Sequence, residues 1–150
     1  MDKQHQSLDQ LPKAIQHLCM ESLTARKSSY SPYSKFKVGA ALLLEDGSVI
    51  TGCNVENASY GLAICAERTA CVKAVSQGQQ DMKAIAIAAD LDEEFVGPCG
   101  ACRQFMCEFN PDLEIYLVRL DHKVQLVNLN QLLPDCFSPK KMAFGFHNGN

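Results

Sequence analysis

Two short segments of this 150-residue chain contain the side chains with the clearest potential for chemistry. One segment contains Cys65, Glu67 and Arg68, and the other contains Cys99 and Cys102. Structural zinc sites usually have four protein ligands, whereas catalytic zinc sites leave one position open for water or substrate. Three cysteines and one carboxylate that is not a ligand therefore indicate a metal-activated water with a proton carrier beside it.

The spacing of these residues predicts where they lie on two helices. Cys99 and Cys102 are three residues apart and follow Pro98, so both side chains can face the same way at the start of a helix. Cys65 also lies at the predicted start of a helix, and a helix N-terminus favours negative charge. Glu67 does not share the helical face of Cys65, so we expect its carboxylate beside the metal rather than on it.

Arg68 follows Cys65 at a spacing of three residues, so it can reach the sulfur of that cysteine. Zinc with three thiolates carries a net negative charge, which opposes ionisation of a bound water. We expect Arg68 and the two helix N-termini to offset that charge. In an alternative interpretation, Cys53 supplies a fourth ligand and the site is purely structural. The remaining cysteines are predicted to be small buried hydrophobic residues, namely Cys19, Cys71, Cys107 and Cys136.

Composition and charge indicate a globular domain with a small substrate. Hydrophobic residues make up 47% of the chain and charged residues 21%, which is ordinary for a folded domain. The formal net charge is −3 and lysine and arginine form no run, so a neutral small molecule fits better than a nucleic-acid polymer. Residues 1–10 contain no signal-peptide pattern, and no stretch is apolar enough for a membrane span. We therefore expect a cytoplasmic protein whose eight cysteines are thiols in a reducing compartment.

The apolar pattern predicts the elements that must position these residues. Their order predicts two antiparallel hairpins and one strand–helix–strand unit with parallel strands. We therefore predict a three-layer α/β/α sandwich with a mixed five-stranded sheet, formed by a single domain over 1–150 with peripheral tails at 1–7 and 140–150. The predicted helices are 8–26, 65–76 and 99–109 with a helical turn at 128–133, and the predicted strands are 38–44, 48–53, 83–89, 114–119 and 124–127.

Four motifs together resemble a known family. C-A-E at 65–67 followed by P-C-x-x-C at 98–102 resembles the signature of the zinc deaminase superfamily. Members that edit polynucleotides typically have His as the first ligand, whereas position 65 is Cys here. With S-P-Y-S-K-F at 31–36 and N-V-E-N-A at 54–58, the chain resembles the small homotetrameric cytidine deaminases from about residue 11 to residue 137.

The resemblance implies a zinc-dependent hydrolysis. Cys65, Cys99 and Cys102 would hold one zinc ion per chain, and Glu67 would move protons while water attacks C4 of the base. Free cytidine and 2′-deoxycytidine would become uridine and 2′-deoxyuridine with release of ammonia, a reaction of pyrimidine salvage. The partners would then be a nucleoside and further copies of the chain, without a nucleic-acid polymer or a membrane.

The resemblance also implies the substrate contacts within one chain. Asn54 and Glu56 would hydrogen-bond the ribose 3′-hydroxyl, which both nucleosides carry. Phe36 would pack against the pyrimidine, and the chain around Ala66 and Glu67 would recognise its polar edge. From the residues alone, Asn54 and Glu56 can equally be polar groups that cap a loop.

In the same family, neighbouring subunits complete the pocket. Phe137 corresponds to an aromatic residue that reaches the base from another chain, and Tyr60 lies in a loop of that intersubunit environment. Three alternatives stay open at this point. They are a deaminase of a cytosine-nucleoside antibiotic, an enzyme that edits single-stranded RNA, and a non-catalytic zinc module with Cys53 as fourth ligand.

Overall fold

The structure, a computed structural model, describes residues 5–139, which form six strands and four α-helices. Residues 1–4 and 140–150 of the predicted tails lie outside the described residues. The strands are β1 (Gln6–Ser7), β2 (Val38–Leu44), β3 (Val49–Cys53), β4 (Met82–Ala89), β5 (Glu114–Val118) and β6 (Lys123–Asn128). The helices are α1 (Lys13–Arg26), α2 (Ala66–Ser76), α3 (Gly100–Cys107) and α4 (Leu129–Leu132).

The strands form one mixed sheet in the order β1-β6-β5-β4-β2-β3. Strands β4 and β5 are parallel and connected through α3, whereas β2–β3 and β5–β6 are antiparallel hairpins, as the order of elements predicts. The predicted mixed α/β sandwich is therefore confirmed. The sixth strand, β1, pairs with β6 and was not predicted, because two residues are too short to show an alternating pattern.

Helices cover both faces of the sheet. Alternate residues of β2 and β4 point to opposite faces, so Ala41, Leu43 and Ala86 pack in one cluster with α1. Leu42 and Ile85 pack on the other face with α2, α3 and α4. Because both faces are buried, β2 and β4 consist almost entirely of apolar residues.

The first helix begins later than its apolar pattern predicts. Leu8–Gln10 form a short 3-10 helix, and α1 begins at Lys13. The chain between them is extended, with ψ of 158° at Leu11 and 145° at Pro12. The ring of a proline disfavours the helical conformation of the preceding residue, so Pro12 separates the two helical segments.

The direction of β3 and β4 brings two helix starts together. Both strands pair antiparallel with β2, so β3 and β4 run the same way. Gly39 of β2 faces Cys53 at the end of β3, and Val38 faces Ala89 at the end of β4. The loops that lead to α2 and α3 therefore leave the sheet at the same end.

One disulfide contradicts the prediction that all eight cysteines are thiols. It joins Cys107, the last residue of α3, to Cys136, which follows α4, with Cα atoms 6.7 Å apart. The two residues are 29 positions apart, and their spacing alone does not show that the fold brings them together. Cys107 is nevertheless buried in the core as predicted, and Cys19 and Cys71 are buried free thiols.

None of the helices described between residues 5 and 139 combines the length and hydropathy that crossing a membrane requires.

Gly52 in β3 allows α2 to lie close to the sheet. A Cβ atom added at Gly52 would lie 2.5 Å from the backbone nitrogen of Ala70 and 2.6 Å from the carbonyl oxygen of Ala66. Both atoms belong to the backbone of α2, so they cannot move aside as a flexible side chain does. The position of α2, and of Cys65 just before it, therefore depends on a residue without a side chain at position 52.

We expect Gly52→Ala to destabilise the fold by about 3 kcal/mol, the upper end of the usual cost of overpacking. Urea denaturation measures this change as a lower midpoint with an unchanged slope. Gly61→Ala is the control, because a Cβ atom at Gly61 would meet nothing within 4 Å. Its free energy of unfolding should change by about 0.5 kcal/mol or less. Equal destabilisation by both variants would contradict the close contact at Gly52.

Candidate metal centre and adjoining cavity

Three cysteine sulfurs meet where α2 and α3 begin. Cys65 is the N-cap residue of α2, Cys99 is the N-cap residue of α3, and Cys102 lies buried in the first turn of α3. Their sulfur atoms lie within 4.8 Å of one another, and the Cys65 and Cys99 sulfurs are 3.8 Å apart. The structure therefore brings together the three residues that the sequence analysis selects as metal ligands.

The geometry and chemistry of this sulfur group fit zinc. Zinc–sulfur bonds of about 2.3 Å in a tetrahedron place two sulfurs about 3.8 Å apart, which is the separation of Cys65 and Cys99. Thiolates are soft ligands, for which zinc has high affinity. Among residues 5–139 no fourth His, Cys, Asp or Glu belongs to the group, so a bound ion would keep an open position. Cys53 is not part of the group, and its thiol donates to the Ser28 carbonyl over 3.4 Å.

Local charges favour the thiolate form of one cysteine. Hydrogen bonds from the Cys102 thiol and from Arg68 lower the pKa of Cys65 to about 5. The Arg68 contact is direct, with Nη2 3.3 Å from the Cys65 sulfur. The bond to Cys65, together with burial, raises the pKa of Cys102. Before any metal binds, Cys65 is therefore the sulfur of this pair that carries negative charge.

Glu67 lies in the first turn of α2 and is not part of the sulfur group. Its side chain is buried, with 5% of its surface exposed. Burial, with a smaller contribution from the negative charge of Cys65, raises the pKa of Glu67 to about 7. A carboxyl group with a pKa near neutrality can both accept and donate a proton, which is what a general acid–base catalyst requires.

A cavity of about 310 Å³ lies beside the sulfur group and contains most of the predicted substrate contacts. Its lining includes Phe36, Asn54, Glu56, Ala66 and Glu67 together with Cys65 and Cys99. These residues come from the chain before β2, the chain after β3, and the starts of α2 and α3. Carboxylate, thiols and aromatic ring therefore line one shared cavity.

Asn54 fixes one wall of this cavity. Its Oδ1 accepts from the Val38 amide and its Nδ2 donates to the Phe36 carbonyl, each over 2.9 Å. These bonds hold the chain that carries Phe36 against the end of β3. The amide nitrogen has a second N–H, which can donate to a ligand. Asn54 therefore caps a loop, as its residue type alone allows, and it also lines the cavity.

Glu56 is held by the chain that precedes β2. Its Oε1 accepts from the Tyr33 amide over 3.0 Å and from the Ser34 amide over 3.1 Å, and its Oε2 accepts from the Ser34 hydroxyl. The hydroxyl of Ser34 lowers the pKa of Glu56 most, with the two amides adding to the effect. Glu56 is therefore a charged acceptor with a fixed orientation at the cavity wall.

Two predicted contacts lie outside this cavity. Tyr60 lines a neighbouring cavity of about 350 Å³ together with Tyr33, and the centroids of the two rings are 5.6 Å apart. Tyr60 is 76% exposed. Phe137 follows α4, is 65% exposed, and is absent from the lining of both cavities. Both rings present apolar surface to the outside of the chain.

Several residues that line the cavity were not predicted from the sequence. Ser34 belongs to the S-P-Y-S-K-F motif, and its contact with Glu56 shows what that serine does. Val96 and Gly97 also line the cavity, directly before Pro98 of the second cysteine motif. Their position beside P-C-x-x-C was the available signal, because residues adjoining a ligand must lie close to its site.

Curated proteins and solved structures resemble this chain over most of its length. It is 52% identical over 128 residues to a cytidine deaminase of Halalkalibacterium halodurans, covering 85% of this chain and 96% of the relative. It is 47% identical over 131 residues to a cytidine deaminase of Sporosarcina psychrophila, covering 87% and 96%. The crystal structure of cytidine deaminase from Burkholderia pseudomallei superposes with a TM-score of 0.77 at 47% identity, covering 81% of this chain and 97% of that one.

Residues 12–118 match the sequence model described as the cytidine and deoxycytidylate deaminase zinc-binding region. This range includes the three cysteines of the sulfur group, Glu67 and every residue that lines the cavity of about 310 Å³. The chain therefore belongs to the cytidine and deoxycytidylate deaminases, a family of hydrolytic enzymes with a zinc-binding region.

Proposed function

We propose that this protein hydrolyses the exocyclic amino group of free cytidine and 2′-deoxycytidine, producing uridine or 2′-deoxyuridine and ammonia. One observation carries the proposal, namely that the buried Glu67 lines the same cavity as Cys65 and Cys99 of the sulfur group. The names of the similar proteins from H. halodurans and B. pseudomallei support the same reaction. A role in pyrimidine salvage and a cytoplasmic location stay predictions.

Cys65, Cys99 and Cys102 would hold one zinc ion per chain through their sulfur atoms. When bound there, zinc would lower the pKa of water at its open position and so supply a nucleophile near neutral pH. Arg68 donates to the Cys65 sulfur, so it draws negative charge from the ligand group and favours that acidity.

Glu67 would move the protons of the reaction. Its carboxylate would take a proton from the attacking water and deliver it to N3 of the cytosine ring. It would then help to protonate the amino group that leaves as ammonia. Its burial excludes bulk water from these transfers, and its raised pKa lets it hold the proton between them.

The other residues of the cavity would orient the nucleoside. The second N–H of Asn54 would donate to the ribose 3′-hydroxyl, and the charged carboxylate of Glu56 would accept from it. Both ribo- and deoxyribonucleosides carry this hydroxyl, so both fit. Phe36 would pack on the pyrimidine, and the chain at Ala66 would contact its polar edge. All four residues line the same cavity as Glu67.

A substrate panel tests the proposed function. Cytidine, 2′-deoxycytidine, CMP, a cytosine oligonucleotide and a cytosine-nucleoside antibiotic are each incubated with the enzyme while ammonia is measured. We expect release from the two free nucleosides. Among residues 5–139 no lysine or arginine lines the cavity, and a phosphate near Glu56 would be repelled, so CMP should have a kcat/KM about 100-fold lower. The proposal would be refuted if the enzyme released ammonia from the oligonucleotide, or from the antibiotic and not from the free nucleosides.

Glu67→Gln should retain zinc and lose turnover, because glutamine has nearly the same shape but cannot carry the proton. We expect kcat to fall by about 100- to 10,000-fold, the usual contribution of general acid–base catalysis. Steady-state kinetics with cytidine measures the loss, and metal analysis measures zinc per chain. Nearly full activity in this variant would refute the assigned role.

Two cysteine variants provide the controls for zinc content. Cys99→Ala removes a sulfur of the group and should lose most of the zinc. Cys53→Ser removes a sulfur that contacts the Ser28 carbonyl and should keep about as much zinc as the unmodified chain. Equal loss of zinc in both variants would support a four-cysteine structural site instead.

We further propose that the enzyme is a homotetramer in which Phe137 contacts the base in a neighbouring subunit. Supporting this, Phe137, Tyr60, Leu62 and Tyr30 are large apolar residues with more than half of their surface exposed. Exposed apolar groups of this kind are typical of surfaces that bury against another chain. Phe137 also lies outside the cavity of its own chain, although the resemblance assigns it a contact with the base.

Mixed tetramers test the contribution between subunits. Phe137→Ala alone should lower kcat/KM about ten-fold or more, because stacking of a base on an aromatic ring contributes roughly 1–3 kcal/mol. Co-expression with Glu67→Gln should restore activity, since some sites then combine an intact Glu67 with an intact Phe137. The measurement is cytidine turnover by mixed assemblies purified through a tag on each chain. Activity no higher than that of the separate variants would show that Phe137 acts within its own subunit or not at all.

A further inference from the structure

The end of α4 and the segment that follows it are attached to α3 at three points. Arg103 Nη1 donates to the carbonyl of the last residue of α4 over 3.0 Å. Gln104 Nε2 donates to the Phe137 carbonyl over 2.7 Å. Between these contacts, the disulfide joins Cys107 to Cys136. The backbone around Phe137 is therefore held to the helix that begins at the metal centre.

The ring of Phe137 projects from this held backbone. Phe137 is 65% exposed, whereas Cys136 before it is partly buried and Ser138 after it is 6% exposed. The disulfide is adjacent to Phe137 and is the covalent member of the three attachments. Of those attachments, it restricts the path of the chain on either side of the ring most strongly.

We propose that the Cys107–Cys136 disulfide is a positioning bond that orients Phe137 before the nucleoside binds. The inference rests on the proposed function, in which Phe137 contacts the base in a neighbouring subunit. With the bond intact, the ring enters the site already ordered. With the bond open, binding must order the segment, so KM should rise about two- to ten-fold, as expected for the immobilisation of one side chain.

The disulfide and the sulfur group lie at opposite ends of α3, so the positioning role can be distinguished from a role in metal binding. Cys99 and Cys102 lie at its start, and Cys107 is its last residue. Opening the bond changes the far end of the helix and leaves the sulfur group in place. If the bond only stabilised the fold, opening it would lower the unfolding temperature and leave KM unchanged. If the metal centre needed the bond, opening it would lower zinc content and kcat.

Reduction opens the bond in a defined way. A phosphine attacks the sulfur of Cys136, which is the more exposed of the two, and the Cys107 sulfur leaves as a thiolate that takes up a proton. Water then cleaves the phosphorus–sulfur bond, releasing the Cys136 thiol and the phosphine oxide. The two electrons that reduce the disulfide come from phosphorus.

The main variant is Cys136→Ala in the zinc-loaded full chain, with Cys53→Ala as the matched control. Both remove a partly buried sulfur, but Cys53 forms no disulfide. We expect Cys136→Ala to raise KM for cytidine about two- to ten-fold with kcat and zinc content nearly unchanged. Cys53→Ala should leave all three quantities unchanged. An unaltered KM in Cys136→Ala, or a fall in kcat and zinc instead, would overturn the positioning role.

A double-mutant cycle asks whether the effect passes through Phe137. In the Phe137→Ala background there is no ring to orient. Adding Cys136→Ala to that background should therefore cause no further rise in KM. If the two substitutions raise KM by independent factors, the bond does not act through Phe137 and the proposal is wrong.

Reduction of the unmodified protein provides a second measurement, in which the bond is opened without any substitution. Trypsin digestion without reductant should yield residues 104–119 and 124–140 as one linked species, and tris(2-carboxyethyl)phosphine should separate them. The same treatment should raise KM in the unmodified protein and not in Cys136→Ala. Unlinked peptides in the air-oxidised enzyme, or a rise in KM in both proteins, would overturn the inference.

These outcomes distinguish the inference from the function on which it rests. Absence of nucleoside turnover by the unmodified protein would refute the proposed function, and the positioning role with it. Normal turnover with an unchanged KM after the bond is opened would refute the positioning role alone.

Discussion

The negative charge that three neighbouring sulfurs would carry on binding a metal is the constraint on which the rest of the site depends. As thiolates at this separation they would repel one another, so the fold must supply positive potential where they meet. It does so with the N-termini of α2 and α3, whose N-cap residues are Cys65 and Cys99, and with the guanidinium of Arg68. Two strands that run the same way, and the close packing of α2 on Gly52, bring these helix ends to one place.

The same helix start produces two acidic groups with opposite properties. Cys65 and Glu67 are two residues apart, yet the pKa of the thiol is lowered and the pKa of the carboxyl group is raised. Cys65 accepts hydrogen bonds from Cys102 and Arg68, whereas the buried side chain of Glu67 lines the cavity. One residue is thereby suited to be an ionised ligand and the other to carry a proton. Environments that separate neighbouring pKa values in this way are typical of catalytic sites.

Much of this arrangement could be predicted from local spacing, because Cys65 and Cys99 each follow a strand and begin a helix. The helical repeat then determines which side chains share a face, and the direction of the strands determines where helices start. Contacts between distant segments left no such pattern. Nothing in the sequence showed that the Ser34 hydroxyl would donate to the carboxylate of Glu56, or that Cys107 and Cys136 would be joined. The strand β1 is similarly defined by its partner rather than by its own residues.

Helix α3 connects the two parts of the site that the sequence presents separately. Its eight residues span about 12 Å, with two cysteines of the sulfur group at the N-terminus and an attachment for the chain after α4 at the C-terminus. A short helix packed in the core transmits position as a rigid unit, since its interior neighbours cannot rearrange without loss of contacts. The helix that positions Cys99 and Cys102 therefore also holds the backbone at Phe137. If Phe137 serves a neighbouring subunit, the geometry of one metal centre and the wall of the next are set by a single helix.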